Sequence, residues 1–183
     1  VAHVFQIAND PYRGKLGLFR VHQGQVTPNS QLYIGDGRKP FKVAHLLRMQ
    51  GKNAIETTMA VPGDLCAVAR VDEIQRDAVL HDSHDEDYYH LAPTVFPQPV
   101  FGLALMTRKP ADEQKLSEAL ARLTEEDPCL EVTFDHRNRR TVVRGLGEQH
   151  LKIVLDELSA RWNLQLDTAP PSVPYRETIT VVA

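Results

Sequence analysis

The sequence predicts two domains, a small all-β barrel followed by an α+β domain of the ferredoxin-like, split βαβ kind. Three observations support this fold class. Residues 1–80 contain short strand-like runs separated by turn residues, and no run with helical periodicity interrupts them. Residues 82–99 are acidic and then rich in proline. After residue 100, strand-like runs alternate with two helix patterns whose apolar faces repeat 35 residues apart.

The first domain is predicted from five short apolar runs. Each is bounded by Gly, Pro, Asn or Asp, which favour turns. Many short strands at regular spacing are typical of a small barrel or sandwich. The runs occupy residues 4–7, 15–21, 31–34, 41–47 and 65–71.

The segment 82–99 is interpreted as a connector. It begins with Asp-Ser-His-Asp-Glu-Asp and continues with Pro93, Pro97 and Pro99. Proline removes backbone donors and stiffens the chain, as is common in interdomain linkers. We therefore predict a barrel domain with its acidic linker over 1–92, a ferredoxin-like domain over 93–172, and the truncated start of a further domain over 173–183.

The second domain is predicted from two similar helix patterns set between strands. Asp112 is a candidate N-cap for the first helix. Apolar residues then follow at i, i+3, i+4 and i+7, the spacing of one helical face. Both helices should pack on one layer of strands. The apolar faces are Leu116, Ala119, Leu120 and Leu123, then Leu151, Val154, Leu155 and Leu158, and the strands are predicted at residues 100–106, 130–134, 141–144 and 164–166.

Composition excludes several classes of protein. Of 183 residues, 42% are hydrophobic and 25% charged, which is typical of a globular protein rather than a disordered one. No apolar stretch reaches the roughly 18 residues of a membrane span. Two cysteines, Cys66 and Cys129, are too few for a disulfide framework or a thiolate zinc site, which favours a reducing compartment. The start lacks Met and a signal peptide, so we expect an excised piece of a longer protein.

Two glycine-containing motifs are weak candidates for nucleotide binding. Gly14-Lys15 resembles the tail of a P-loop, but Asn9 stands where that loop needs Gly and Leu16 where it needs Ser or Thr. Residues 145–150 follow a strand and open a helix, yet His150 stands where a dinucleotide fingerprint has its third glycine. A tight turn between strands is the favoured interpretation of the first motif, and a strand-to-helix turn whose glycines permit unusual backbone angles is that of the second. No Ser-His-Asp or Cys-His spacing predicts a catalytic set, so no catalytic residue is predicted.

The connector also contains candidate metal ligands. His81, His84 and His90 alternate there with Asp82, Asp85 and Asp87. No rigid element is predicted to fix a coordination shell around them. A solvated linker is therefore favoured, and no metal site is predicted. A metal-binding enzyme domain that uses these histidines is retained as an alternative.

Two groups of basic residues stand at predicted turns, although the net charge is −3. Loop-tip arginines flanked by strands are suited to phosphate contacts, because a turn projects them from the fold. Ordinary solvated turns are an equally good interpretation from composition alone. The groups are Arg137, Arg139 and Arg140, and Arg38, Lys39 and Lys42.

The motifs taken together resemble elongation factor G, the translocation GTPase of the ribosome. Residues 10–16 read Asp-Pro-Tyr-Arg-Gly-Lys-Leu, and residues 62–68 read Pro-Gly-Asp-Leu-Cys-Ala-Val, as in the second domain of that family. Residues 125–128 read Glu-Glu-Asp-Pro, and residues 145–151 read Gly-Leu-Gly-Glu-Gln-His-Leu, as in its third domain. Residues 174–179 are similar to the start of its fourth domain.

The resemblance implies a translation-factor barrel, a ferredoxin-like third domain and a role in ribosome binding. It implies contacts with small-subunit RNA and protein, and with an upstream nucleotide-binding domain of the same chain. That missing domain would hold GTP and Mg²⁺, so this piece itself would need no cofactor and would not be an enzyme. The parent is expected to be cytoplasmic and monomeric. The candidate ribosome contacts are Arg13, Lys15, Arg20, Arg137, Arg139, Arg140 and His150.

Other functions are also compatible with the sequence. Gln149 stands where elongation factor G usually has Leu, as in elongation-factor-G-like paralogues, and the segment 81–89 is longer and more acidic than the usual connector. A paralogue or a tetracycline-type ribosome protection protein, without translocase activity, is therefore the alternative. A protein–protein adaptor without ribosome contact is a third hypothesis, because the net charge is negative.

Overall fold

The computed structural model describes residues 1–51 and 53–172. The chain forms two compact units that divide between Val95 and Phe96. The motif at residues 174–179 lies outside the described residues. No helix among the residues that are described is long and apolar enough to cross a membrane.

The first unit is a curled antiparallel sheet, a half-barrel. Its strands are β1 (Ala2–Asp10), β2 (Gly14–Val21), β3 (Gln31–Ile34), β4 (Phe41–Lys42), β5 (Leu46–Gln50), β6 (Asn53–Glu56), β7 (Leu65–Ala69) and β8 (Val79–His81). They lie in the order β4-β3-β8-β1-β2-β7-β5-β6. Strands far apart in this order share one buried core, which contains Val4, Phe19, Leu32, Val68 and Leu80, so the sheet must curl around these side chains.

The run at residues 41–47 was predicted as one strand, and that prediction is wrong. The structure breaks it between Lys42 and Leu46 because its two ends pair with different neighbours. β4 pairs with β3, whereas β5 pairs with β7 near the other edge of the sheet. Val43 marks the crossing, since it is fully buried and exchanges backbone hydrogen bonds with the turn at residues 29 and 30.

The sequence pattern does not predict β6 and β8, and it predicts a later end for β7 than the structure shows. β6 and β8 are only four and three residues long, too short to display an alternating pattern. β7 ends at Ala69, two residues before the predicted end, because Arg70 adopts a left-handed backbone with φ of 61°.

The acidic segment belongs to the first unit and packs in part against its strands. His81 is buried with 1% of its surface exposed, so its assignment to a solvated linker is wrong. A 3₁₀ turn, His84–Glu86, follows, and the His84 ring lies 4.2 Å from the ring of Tyr33. Further along, Thr94 donates from its backbone and its hydroxyl to the carboxylate of Asp77.

The second unit has the split βαβ order that the sequence predicts. It contains β9 (Phe101–Thr107), α1 (Glu113–Glu126), β10 (Glu131–Asp135), β11 (Arg140–Gly145), α2 (Glu148–Trp162) and β12 (Leu166–Ala169). The sheet order is β10-β11-β9-β12, with each neighbouring pair antiparallel. β11 thus lies between the two strands that α1 connects. The predicted fold class is confirmed for both units.

The core of the second unit lies between the helices and one face of the sheet. The predicted apolar faces are buried, except that Leu155 is only partly so. Asp112 precedes α1 at the N-cap position, but its carboxylate makes no capping hydrogen bond, because a 3₁₀ turn, Pro110–Asp112, leads directly into the helix. Leu164 is buried ahead of β12 rather than within a strand.

Candidate nucleic-acid interface

The β10–β11 turn is held rigidly by one carboxylate. Asp135 accepts hydrogen bonds from the backbone N–H of Arg137 at 3.0 Å and from the amide side chain of Asn138 at 2.8 Å. The hydroxyl of Ser172 donates to it at 2.9 Å. The side-chain bonds from Asn138 and Ser172, in that order, lower the pKa of Asp135 to about 2. The turn therefore presents its arginines from a fixed backbone.

The three arginines of this turn do not converge on one point. Arg137 borders an open cleft of about 620 Å³ with Phe134, Arg144 and Pro171. Arg139 borders a second cleft, of about 400 Å³, with Glu113. Arg140 is exposed on β11, opposite Asp135. The hairpin therefore offers cations in more than one direction and does not form one converging anion site.

The candidate ribosome contacts in the half-barrel also lie at separate places on its surface. Arg13 donates to the carbonyl of Ala54 at 3.3 Å, and Lys15 donates to the carbonyl of Asp72 at 3.0 Å. Arg20 is exposed farther along β2, about 17 Å from Lys15 at the rise of a strand. Arg13 thus lies in the β1–β2 turn with Lys15 just after it, and Arg20 belongs to a different part of the surface.

Arg70 is a basic residue that the sequence analysis did not single out. Its backbone N–H donates to the carbonyl of Lys15 at 2.9 Å, and its side chain borders a small cavity with Arg13. Nothing in the local sequence identifies this proximity, because it arises from the pairing of β2 with β7.

Both ring nitrogens of His150 make hydrogen bonds within the second unit. Its Nε2 lies 2.7 Å from the Asp127 carboxylate, and the backbone N–H of Leu146 donates to its Nδ1 at 3.1 Å. Nδ1 therefore carries the lone pair and Nε2 the hydrogen. Asp127 also accepts from the backbone N–H of Cys129 at 2.8 Å. The Glu-Glu-Asp-Pro and Gly-x-Gly-Glu-x-His motifs meet at this bond, which gives His150 a positioning role for the loop.

Close packing explains why Gly145, the first glycine of the Gly-x-Gly-Glu-x-His motif, carries no side chain. A Cβ atom on Gly145 would lie 2.8 Å from Cδ2 of Leu151 and 2.9 Å from Nδ1 of His150.

The acidic residues at the end of α1 form ion pairs within the second unit, although they face the unfavourable end of the helix dipole. Glu126 pairs with Arg161 on α2 at 3.1 Å, and Asp127 pairs with His150.

The described residues include no group of three or more His, Cys, Asp or Glu side chains placed to hold a metal ion. In the acidic segment, the two ring nitrogens of His81 lie 2.8 Å from the carbonyl oxygens of Ser83 and Gly35. His84 lies 3.2 Å from Asp87, and His90 lies 3.6 Å from Asp36.

Comparison with known proteins matches each unit to one family. The model of elongation factor G domain 2 matches residues 1–81, and the model of elongation factor G domain III matches residues 96–170. The elongation factor G of Amoebophilus asiaticus (strain 5a2) is 35% identical over 181 residues, which are 98% of this chain and 25% of that protein.

A solved structure from Thermus thermophilus has the same fold. It superposes with a TM-score of 0.79 at 28% identity, over 96% of this chain and 26% of that one. The chain therefore spans about a quarter of the length of the relatives it matches.

Proposed function

The chain belongs to the elongation factor G family, as a domain II followed by a domain III, and we propose that these two domains bind the ribosome within a longer translational GTPase. Small-subunit RNA and protein are the proposed partners. The parent is proposed to work as a cytoplasmic monomer that hydrolyses GTP with Mg²⁺ in a domain upstream of this segment.

The rigid arginine turn carries this proposal. Phosphate contacts position a protein on RNA without reading its sequence, and arginine provides them best because its guanidinium is always charged and forked. Asp135 orders the backbone that projects Arg137 and Arg139, so less conformational entropy is lost when they bind. A net charge of −3 does not oppose this role, since a local basic surface decides contact with a polyanion.

Charge reversal in the full-length parent tests ribosome binding. Replacing Arg137 and Arg139 with Glu should weaken binding and make the dependence of log affinity on log salt shallower by about one to two. The matched control reverses Lys115 and Lys152, which are exposed on the two helices, and should change neither quantity appreciably. Unchanged affinity and salt dependence in the arginine variant would contradict the assignment of this turn.

We propose that the two domains couple nucleotide state to movement on the ribosome, and that the parent promotes GTP-dependent translocation of tRNA and mRNA. Single-round translocation on preloaded ribosomes, measured beside GTP turnover, tests this. A rate well above the factor-free control supports translocation. Turnover without translocation would instead support a paralogue or a ribosome protection protein. Gln149, exposed in the first turn of α2 beside His150, is then the first residue to replace with Leu.

A further inference from the structure

The segment that follows β8 displays two tyrosine rings side by side. Tyr88 and Tyr89 are 69% and 43% exposed, and their ring centroids lie 4.5 Å apart. Both come directly after the 3₁₀ turn and Asp87, and the backbone N–H of Tyr89 donates to the carbonyl of Glu86 at 3.0 Å. Tyrosine is enriched at protein interfaces because its ring buries a large apolar area. We call residues 82–89 the acidic tyrosine turn.

The acidic tyrosine turn is fixed to the half-barrel. The ring of His84 lies 4.2 Å from the ring of Tyr33 on β3 and 3.2 Å from the carboxylate of Asp87. Just after the turn, His90 lies 3.6 Å from Asp36. The two tyrosines therefore stand on a backbone that is already ordered, so a partner that binds them loses less conformational entropy.

The charge around the two rings is negative. The hydrogen bond between Tyr88 and Tyr89 is the main cause that raises the pKa of the Tyr88 phenol. The carboxylates of Glu86 and Asp85 raise it further by charge repulsion, so both lie near that ring. No Lys or Arg occurs in the sequence from residue 77 to residue 107. That stretch contains five acidic residues, Asp77, Asp82, Asp85, Glu86 and Asp87.

The carboxylates nearest the rings have no cationic partner. One oxygen of Glu86 is buried and accepts no hydrogen bond from the part of the chain that the structure describes. Arg38 and Lys39 are exposed on the neighbouring β3–β4 turn, yet within the described ranges neither forms an ion pair with Asp85 or Glu86. Leaving a buried acceptor without a donor costs free energy, which a donor from a partner would recover.

An arginine side chain matches both the rings and the carboxylates. Its guanidinium is planar and stacks on aromatic faces, and its forked N–H groups fit a carboxylate. Lysine offers the charge without the flat surface. RNA is a polyanion and would be repelled by this face. The chemistry of the turn therefore favours a protein segment that carries several arginines.

We propose that the acidic tyrosine turn is a docking surface for an arginine-rich protein segment. Guanidinium groups of that segment stack on the rings of Tyr88 and Tyr89. They also pair with the carboxylates of Asp85 and Glu86. This inference goes beyond ribosome binding and does not depend on it, because the surface selects for protein and against RNA.

Fluorescence anisotropy of a labelled hexa-arginine peptide, titrated with the 183-residue chain, tests the proposal. Replacing Tyr88 and Tyr89 together with Ala should lower affinity by about fivefold or more. The dependence on salt should stay the same, because no charge is removed. Replacing both with Phe should preserve binding. Asp85→Asn with Glu86→Gln should lower affinity and make it less sensitive to salt. A hexa-lysine peptide should bind more weakly than hexa-arginine.

Two control variants separate this surface from charge or aromatic exposure in general. Asp72→Asn with Glu73→Gln removes an adjacent pair of exposed acidic side chains, and Tyr12→Ala removes a tyrosine that is 89% exposed. Both lie at the far end of β1 from its pairing with β8, the strand that leads into the acidic tyrosine turn. Neither control should change affinity. Equal losses in control and test variants, or equal affinity for the two peptides, would overturn the proposal.

Amide NMR of the same chain locates the bound peptide. Chemical-shift changes centred on residues 82–91 support the docking surface. Changes confined to other residues, or no binding at micromolar concentrations, refute it. The tyrosine variants should melt at the wild-type temperature because the side chains that they replace are exposed, so their loss of binding reports the surface itself.

Discussion

Replacing His81 with Phe should unfold the first domain at a markedly lower temperature. The imidazole is buried in β8, and its Nδ1 and Nε2 lie 2.8 Å from the carbonyl oxygens of Ser83 and Gly35. A carbonyl oxygen only accepts, so the ring is the donor wherever it bonds to either of them. Phenylalanine fills a similar space and donates to neither oxygen.

The loss of stability depends on which hydrogen bonds each of the two carbonyl oxygens still accepts in the variant. Ser83 still accepts the backbone N–H of Glu86 at 3.1 Å, so only the net value of one hydrogen bond is lost there, about 0.5–1.5 kcal/mol. The Gly35 carbonyl, which is only partly buried, would also lose the net value of the one hydrogen bond that His81 supplies, about 0.5–1.5 kcal/mol. The free energy of unfolding should therefore fall by about 1–3 kcal/mol, which lowers the melting temperature of a domain this size by roughly 5 °C or more.

Calorimetry of the 183-residue chain measures this change. The single tryptophan, Trp162, lies in the second domain, so its fluorescence reports the unfolding of that domain and should not shift. The control His45→Phe removes a half-exposed imidazole whose partner, the carboxylate of Glu56, is itself exposed. This change should alter stability by less than about 0.5 kcal/mol. The reasoning is refuted if His81→Phe melts within about 2 °C of the wild type, or if only the tryptophan transition moves.

Three further predictions concern the second domain. Gly145→Ala should destabilise it by about 1–3 kcal/mol in urea unfolding, because the new methyl group meets its neighbours at 2.8 Å, whereas Gly147→Ala, with open space around it, should not. The pKa of Asp135 is depressed, so its stabilising contribution is complete above about pH 4 and is lost as the pH falls through about 2; carboxyl NMR should show that titration, and a midpoint near 4 would contradict it. Arg161→Ala should lower stability by about 1 kcal/mol, and a double-mutant cycle with Glu126→Gln should show coupling between the two side chains.

Much of the fold could be predicted because it is encoded locally. The helical faces of α1 and α2 repeat at the spacing of one helix surface, and the structure buries them. Turn residues marked most strands of the half-barrel. The strand boundaries at Lys42 and Arg70 could not be predicted, because the first depends on which neighbour each half of the run pairs with and the second on a single backbone conformation.

The candidate site was predicted less completely. Loop position and charge identified the arginine turn, but not the two clefts that its arginines border. His150 was proposed as a contact because of its motif, and only the structure shows that both its nitrogens are engaged inside the domain. Arg70 joins Arg13 because β7 pairs with β2, and no pattern within either segment signals it.

The sequence by itself determined the two-domain order, the helix and sheet layers and the family, since periodicity, turn chemistry and motifs are properties of neighbouring residues. The tertiary structure decided which polar groups meet. His81 became a core residue, Asp127 a partner for His150, and Arg70 a neighbour of Lys15. Each of these depends on contacts between residues far apart in the chain, and the register that creates such contacts is set by the packing of the whole domain rather than by local preference.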